Sequence, residues 1–278
     1  MIKVITDTTS SLTEAEYKKY EIIGVPLYIK QEDTSKRELF EMTYEEFYQQ
    51  QRSGVQFTTS QPDPNSFLEA FRPIIENGDE IVCVTLSSCI SGTLNCAHLA
   101  KQILNTEKIS IIDSYQSGFG QAALALKAKE LADNHGTRAE IIPILEAMRS
   151  RSRVFFVVES LRYLYEGGRL TGAQALIGSL IQIKPIIWFD SEGKMTALEK
   201  VRTLKSAKLR ALELIKERTA LGVEKVGLHY GDNLEEASEY AKELEAIVGV
   251  PVPLIKVSPV IASHTGPDLL GPCIITKN

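Results

Sequence analysis

The sequence predicts an α/β fold with two domains: a Rossmann-like N-terminal domain built on a parallel sheet, and a C-terminal α/β domain whose sheet is largely antiparallel. Segments rich in Ile and Val alternate with helical patterns over roughly the first 150 residues, which is typical of βαβ units. A hairpin pattern follows in the second half. The chain has 278 residues, 44% of them hydrophobic, which is enough for two cores, and we place the domains at residues 1–151 and 152–278.

The N-terminal domain is predicted from its strands and its helix starts. Strand-like apolar segments lie at residues 2–5, 22–29, 81–86 and 108–112. Helix starts are marked by Thr13 and Thr43, each followed three residues later by a glutamate as in a capping box, and by Asp63 before a proline. Because parallel strands require crossover helices, the sheet should be covered on both faces. Ligands of such sheets bind beyond the carboxyl ends of the strands.

The C-terminal domain begins after a helical stretch over residues 139–151. A turn pattern at residues 190–193 favours an antiparallel hairpin. In chain order the predicted elements are a strand at 154–158, a short helix ending at Gly167 and Gly168, an apolar helix at 173–181, hairpin strands at 183–189 and 195–200, a helix at 205–218, a strand at 225–230, a helix at 234–247, and strands at 252–257 and 273–276. We therefore expect an α/β domain with a more antiparallel sheet.

The composition excludes several classes of function. The formal net charge of -5 is spread over mixed acidic and basic residues, without the basic tract that binds nucleic acid. The start of the chain lacks a secretory leader pattern, and no apolar run approaches the roughly 18 residues of a membrane-spanning helix. We expect a cytoplasmic protein in which Cys83, Cys89, Cys96 and Cys273, which form no C-x-x-C pair, are buried thiols.

Loops rich in hydroxyl groups and glycine follow the N-terminal strands, at residues 7–11, 58–62, 87–93 and 113–118. Helix caps and turns use the same residue types, so one such loop alone indicates little. Four of them meeting at one edge of a parallel sheet favour a binding site. The loop Ser91-Gly92-Thr93 precedes a helix whose N-terminal N–H groups favour an anion. Because this loop has no lysine and no P-loop pattern, a carboxylate fits it better than a polyphosphate.

The motifs in these loops and in two later segments resemble those of the DegV family, whose members include the fatty-acid-binding subunits of bacterial fatty acid kinase. The matching segments are residues 7–12 (DTTSSL), 59–62 (TSQP), 87–93 (SSCISGT), 113–114 (DS), 164–169 (LYEGGR) and 264–267 (HTGP). The resemblance spans nearly the whole chain. It implies a non-catalytic protein of phospholipid metabolism that holds a long-chain fatty acid between its domains while a separate kinase phosphorylates the carboxylate.

The resemblance also implies which residues bind the head group. Thr59 and Ser91 would donate hydrogen bonds to the carboxylate, with the Gly92 N–H beside them and His264 close by. Hydroxyl-to-carboxylate bonds are charge-assisted and therefore stronger than neutral ones. The sequence departs from the family at Asp268, where a glycine is more usual. A carboxylate pointing inward at this position would repel the ligand.

The acyl chain and the partner are assigned from the same resemblance. Residues 173–189 contain more apolar side chains than one helix face requires, and some of them are expected to line an acyl tunnel, namely Leu176, Ile177, Leu180 and Ile187. Burial of a 16-carbon chain contributes on the order of 10 kcal/mol before association costs. Arg169 and Arg202 look like the family's surface arginines and are expected to face the kinase or its nucleotide. Contact with a membrane surface would be transient, for lipid exchange.

Other functions fit the sequence less well. A serine hydrolase requires a G-x-S-x-G motif, which this sequence lacks, and the G-x-G-x-x-A string at 118–123 leads into more helix instead of a second strand. The histidines at 98, 135, 229 and 264 are scattered and form no metal motif, so neither a metal nor another cofactor is expected. A lipid-sensing or lipid-carrier protein with a partner other than a kinase remains open, because the same pocket would serve it.

Overall fold

The computed structural model describes residues 1–171 and 183–278. In chain order its strands are β1 (Ile2–Asp7), β2 (Ile23–Val25), β3 (Tyr28–Gln31), β4 (Thr34–Arg37), β5 (Thr58–Ser60), β6 (Glu80–Thr85), β7 (Ile109–Asp113), β8 (Ser152–Val158), β9 (Lys184–Phe189), β10 (Met195–Val201), β11 (Val223–Tyr230), β12 (Leu254–Lys256) and β13 (Leu269–Thr276). Its helices are α1 (Glu14–Lys19), α2 (Tyr44–Arg52), α3 (Pro64–Glu76), α4 (Thr93–Leu104), α5 (Phe119–Asp133), α6 (Arg138–Arg151), α7 (Arg162–Glu166), α8 (Leu204–Thr219), α9 (Leu234–Val248) and α10 (Pro259–Thr265).

The first sheet has four parallel strands in the order β2-β1-β6-β7. Successive residues of a strand point to opposite faces, and in β1 both faces are buried. Ile5 packs in a cluster with Phe67 and Phe71 of α3, whereas Val4 packs in a cluster with Ile141 of α6. Burial on both faces explains why these strands are continuous apolar runs in the sequence. The predicted parallel sheet with helices on both sides is confirmed.

The second sheet has six strands in the order β10-β9-β8-β13-β11-β12 and is antiparallel except for the pair β11 and β12. Helices α8 and α9 cover one face, where Ile215 belongs to the same cluster as Phe155. The opposite face contributes Phe156 and Ile187 to a larger cluster that also includes residues of the third sheet. The prediction of a largely antiparallel C-terminal sheet is confirmed, and the division into domains at residue 151 stays a prediction.

The third sheet has three antiparallel strands in the order β4-β3-β5, and the sequence did not predict it. The apolar run at residues 22–29, expected to be one strand, is divided between β2 and β3. Pro26 separates them, because proline has a fixed φ and no N–H for sheet pairing. The segment 58–62, expected to be a loop, begins with β5, in which Thr59 pairs with Ile29. Threonine is β-branched and readily adopts extended backbone.

The predicted helix starts are confirmed. Thr13 and Thr43 both form capping boxes, and Asp63 caps α3 ahead of a proline in its first turn. The hairpin of β9 and β10 turns where expected, since the Asp190 N–H donates to the Lys194 carbonyl. Helix α10 was not predicted, because its seven residues are too few for a periodic pattern. The apolar helix predicted at 173–181 lies outside the described residues.

The burial of the cysteines and the absence of membrane-spanning helices were also predicted. Three of the cysteines are buried as expected, but Cys89 is exposed, because it lies in the loop beyond the end of β6. Within residues 1–171 and 183–278, no helix has the length and apolar character that crossing a membrane would require.

Candidate functional site

A small cavity of about 50 Å³ lies beyond the carboxyl ends of β1 and β6, between the third sheet and α10. The polar residues on its wall include Thr9, Thr59, Ser91, Ser117, Arg169 and His264. The apolar residues on its wall are Leu27, Leu86, Ile90, Met195, Val260 and Ile261. The cavity is therefore at the sheet edge where α/β proteins bind ligands. Three of the four predicted head-group residues, Thr59, Ser91 and His264, meet there.

Thr59 and His264 are in direct contact, although 205 positions separate them in the chain. The Thr59 Oγ1 lies 2.7 Å from Nε2 of His264. Pairing of β5 with β3 places the threonine, and the last turn of α10 places the histidine. Burial of the imidazole, together with the positive charge of Arg169, lowers the pKa of His264 to about 4. The ring is therefore neutral near pH 7.

Gly167 and Gly266, one in each of the segments 164–169 and 264–267, are required by the limited space around His264 and α7. A Cβ at Gly167 would lie 2.2 Å from Nδ1 of His264, closer than any carbon can approach. Gly167 has φ of -72°, so space and not backbone conformation demands glycine there. Gly266, at φ +81°, follows α10, and a Cβ on it would lie 2.7 Å from the ring of Tyr163 in α7. The segments 164–169 and 264–267 therefore pack directly against each other.

Ser91 reaches the cavity from the loop that precedes α4. Its Oγ lies 2.9 Å from Oγ1 of Thr93 and accepts a hydrogen bond from the Thr93 N–H at 3.3 Å. Gly92 is the N-cap residue of α4 and provides no side-chain cap, and a Cβ on it would lie 2.2 Å from Oε1 of Gln61. The N-terminal turn of a helix favours negative charge, so Ser91 lies at an electropositive position. The proposed contact of the Gly92 N–H with a carboxylate stays a prediction.

Arg169 lies on the cavity wall beside the predicted head-group residues. It is half-buried, and its Nη1 donates a hydrogen bond to the Gly167 carbonyl at 2.5 Å. Loss of hydration lowers the pKa of Arg169, and no acidic side chain of the described ranges forms an ion pair with it. Arg202, in contrast, is exposed just beyond the end of β10. The roles of both arginines toward a partner protein stay predictions.

The structure describes only one of the four predicted tunnel residues, and it places Asp268 outside the cavity. Ile187 is fully buried in β9, within the cluster that contains Met195 and Val260 of the cavity wall. The other predicted tunnel residues, Leu176, Ile177 and Leu180, lie outside the described residues. Asp268 forms a two-point ion pair with Arg52, at 2.7 and 2.8 Å, and is not on the cavity wall. The repulsion expected from an inward-pointing carboxylate therefore does not arise from Asp268.

The site combines hydroxyl groups, a neutral imidazole and one guanidinium with apolar walls. These groups can bind a carboxylate that carries an apolar tail, because they satisfy the charged end and leave the remainder in a water-poor environment. In the part of the chain that the structure describes, no group of His, Cys, Asp and Glu could hold a metal ion. Thr9 and Ser117, also on the cavity wall, belong to two of the hydroxyl-rich loops, 7–11 and 113–118. Sequence reasoning missed Met195, Val260 and Ile261, because the resemblance marked only the last residues of α10, and nothing marked its first turn or the hairpin as part of a site.

The chain is similar over nearly its whole length to a set of known proteins. The model of the DegV family, described as uncharacterised protein, DegV family, matches residues 1–277. The DegV domain-containing protein lin2658 of Listeria innocua is 35% identical over 277 residues, which cover 97% of this chain and 96% of the relative. Protein DegV of Bacillus subtilis is 32% identical over 280 residues, which cover 98% of both.

Solved structures with the same fold are described as fatty-acid-binding proteins. A stearic-acid-binding protein from Eubacterium ventriosum has a TM-score of 0.91 at 28% identity, covering 100% of this chain and 99% of its own. DegV from Bacillus subtilis, described as a fatty acid binding protein, has a TM-score of 0.90 at 33% identity, covering 99% of both chains. A DegV family protein from Thermus thermophilus, described by its fatty acid binding, has a TM-score of 0.88 at 31% identity, covering 99% of both chains.

Proposed function

The chain belongs to the DegV family, and we propose that it binds a long-chain fatty acid whose carboxylate is held by Thr59, Ser91 and His264. The observation that carries the proposal is the meeting of these three side chains, from three separate segments, on one cavity wall. Each comes from a motif that resembles one of the family's. Their apolar surroundings suit the first methylene groups of an acyl chain.

The head group would be recognised by a short chain of hydrogen bonds. With the proton on Nε2, neutral His264 donates to Oγ1 of Thr59, which leaves the Thr59 hydroxyl hydrogen free to bond the carboxylate. Ser91 would donate a second bond, close to the electropositive end of α4. Arg169 on the same wall would supply the compensating positive charge. Bonds to a carboxylate in such a water-poor site are charge-assisted.

The tail would lie in the large cluster between the second and third sheets. The cavity of about 50 Å³ accommodates a head group, whereas pockets for drug-sized ligands have volumes of about 300–1,000 Å³. A tail placed in this cluster would require its apolar side chains to separate. Met195 is suited to this because its unbranched side chain adopts many rotamers, and Ile187 lies deeper in the same cluster. The acyl chain would then run between the proposed domains, 1–151 and 152–278.

The assignment of Thr59 and Ser91 to the head-group site can be tested with the double variant Thr59→Ala and Ser91→Ala. Loss of two charge-assisted bonds should weaken oleate binding by more than about tenfold, measured by titration calorimetry or displacement of a fluorescent fatty acid. Thr58→Ala is the matched control, since Thr58 is exposed on the same strand and is not on the cavity wall. Equal affinity of the double variant and the control would refute the head-group assignment. Mass spectrometry of lipid extracted from the purified protein would identify the natural ligand.

The bound carboxylate would be presented to a separate fatty acid kinase for conversion to an acyl phosphate. Loaded protein mixed with such a kinase and ATP should yield acyl phosphate. Arg202→Ala should leave oleate affinity unchanged and lower the rate of this reaction, because Arg202 is exposed away from the cavity. Arg169→Ala should lower both, because Arg169 is on the cavity wall. If oleate binds but no acyl phosphate forms, the protein is instead a lipid sensor or carrier with another partner.

A further inference from the structure

Glu38 is a fully buried carboxylate that joins three elements near the head-group site. It follows β4 directly, and its Oε2 accepts a hydrogen bond from the Thr8 hydroxyl at 2.5 Å. Its Oε1 accepts from the N–H of Val260 at 2.7 Å. Thr8 follows β1, and Val260 lies in the first turn of α10. A single side chain therefore connects the first sheet, the third sheet and α10.

Helix α10 depends on such contacts for its position. It has only seven residues, too few for its own backbone hydrogen bonds to hold it in place. Besides Glu38, it is held by Gln51, whose Nε2 donates to the Ala262 carbonyl at 2.8 Å, and by Ser11, whose Oγ accepts from the Ser258 N–H at 3.1 Å. Of these three contacts only the one from Glu38 involves an ionisable side chain. The same helix carries His264 and part of the cavity wall.

The surroundings of Glu38 are unfavourable for a negative charge. None of the described basic residues forms an ion pair with it, and the titratable groups facing it are Asp7 of β1, Tyr17 of α1, and Tyr44 and Tyr48 of α2. Burial raises the pKa of Glu38 to about 7, and the charge of Asp7 adds to the effect, whereas the bonds from Thr8 and Val260 oppose it. A buried charge without a cation is costly for the stability of the fold.

We propose that Glu38 is a positioning residue for the head-group site, whose ionised carboxylate holds α10 and thereby keeps His264 against Thr59, and whose protonation loosens α10. Only the ionised form presents acceptors to both Thr8 and Val260 with the strength of charge-assisted bonds. The protonated form turns one oxygen into a donor and weakens both contacts. The consequence for fatty acid affinity rests on the proposed function, whereas the hold on α10 does not.

The hold on α10 is tested by amide hydrogen exchange of the ligand-free full chain between pH 6 and 8.5, corrected for the intrinsic exchange rate. In the natural protein, protection of residues 259–265 should increase with pH around a midpoint near 7. In Glu38→Gln it should be low and independent of pH. Glu41→Gln is the matched control, because Glu41 is an exposed carboxylate three residues further on, paired with Arg37. Equal, pH-independent protection in the natural protein and Glu38→Gln would overturn the proposal.

A second variant leaves Glu38 in place and distinguishes two roles for it: holding α10 through its charge, or only packing against α10. Thr8→Val removes a hydrogen bond that lowers the pKa of Glu38, so the midpoint of α10 protection should move to higher pH. A merely structural contact would instead lower protection equally at every pH. An unchanged midpoint in Thr8→Val contradicts the proposal, even if Glu38→Gln fails to fold.

Oleate affinity provides the functional readout. At pH 8.5, Glu38→Gln should bind oleate about tenfold more weakly than Glu41→Gln, the loss expected for one charge-assisted bond. The ratio of the two dissociation constants should approach one at pH 6, and comparison at the same pH cancels the titration of oleate itself. A ratio of one at every pH overturns the link between Glu38 and the site. If the natural protein binds no oleate at any pH, the proposed function fails, while hydrogen exchange still decides the role of Glu38.

Discussion

Single residues in the site are constrained by space as much as by hydrogen bonding, and Gly167 shows this clearly. Its neighbour His264 is the residue whose position completes the head-group site. From the sequence alone, the pair of glycines at 167 and 168 marked the end of a short helix and part of a motif that resembles one of the family's. In the structure, glycine is required at the two positions for different reasons. Gly167 leaves room for the imidazole of His264, whereas Gly168 has open space around it but adopts a positive φ of +67°.

Gly167→Ala should therefore displace His264 from Thr59. The added methyl group would lie 2.2 Å from Nδ1 of His264, so the ring must rotate or α7 must shift. We expect oleate affinity to fall by about tenfold, because a Thr59 hydroxyl that His264 no longer orients would lose its charge-assisted bond to the carboxylate. Gly168→Ala is the control, since it strains the backbone at positive φ, at a cost of roughly 1 kcal/mol in stability, without contacting the site. Titration of both variants with oleate would settle the point, and similar affinities would count against the importance of His264.

At the scale of elements, the sequence predicted those with a strong period or a clear start. The parallel strands, the antiparallel hairpin and the capped helices α1, α2 and α3 follow from apolar runs, turn residues and capping boxes. Among the elements it missed, β5 and α10 are three and seven residues long and have no period to detect. Both are fixed by tertiary pairing, β5 against β3 and α10 through Glu38 and Gln51.

Residues of the site lie on the short elements that have no sequence pattern. Thr59 and His264 lie on those two missed elements, so local pattern could not bring them together. The resemblance to a family named both as head-group residues, and in the structure both lie on the wall of one cavity. It could not indicate that Arg169 lies on the same wall or that Asp268 pairs with Arg52, since both depend on contacts between distant segments.

At the scale of the molecule, one buried histidine connects α5, which packs on the first sheet, to the second sheet. Nε2 of His229 in β11 accepts a hydrogen bond from the N–H of Phe119, the first residue of α5, at 2.7 Å. Its Nδ1 lies 3.2 Å from Sγ of Cys273. Gly118 leaves the necessary space, since a Cβ there would lie 2.3 Å from Nε2 of His229. Burial lowers the pKa of His229 to about 3, and the neutral ring is the form that can accept this bond.

The buried histidines make stability depend on pH. In the unfolded chain His229 and His264 bind protons near pH 6.5, whereas in the folded protein they stay neutral down to about pH 3 and 4. Below pH 6.5 the unfolded state therefore binds more protons, and each histidine lowers the free energy of unfolding by up to about 1.4 kcal/mol per pH unit. Glu38 acts in the opposite direction, because its pKa is raised from 4.5 to about 7 on folding, and Asp7 acts with it because burial also raises its pKa.

Replacing Glu38 by Gln removes one of these opposing groups. Between pH 6.5 and 5 the folded protein holds a proton at Glu38 that the unfolded chain largely lacks, so this group stabilises the fold as the pH falls. Without it, the free energy of unfolding should decrease with falling pH more steeply than in the natural protein, by about 1.4 kcal/mol per pH unit. Urea denaturation at half-unit steps of pH measures both slopes, with Glu41→Gln expected to match the natural protein. Parallel slopes for Glu38→Gln and the natural protein would mean that Glu38 is ionised throughout this range and that its charge is compensated within the fold.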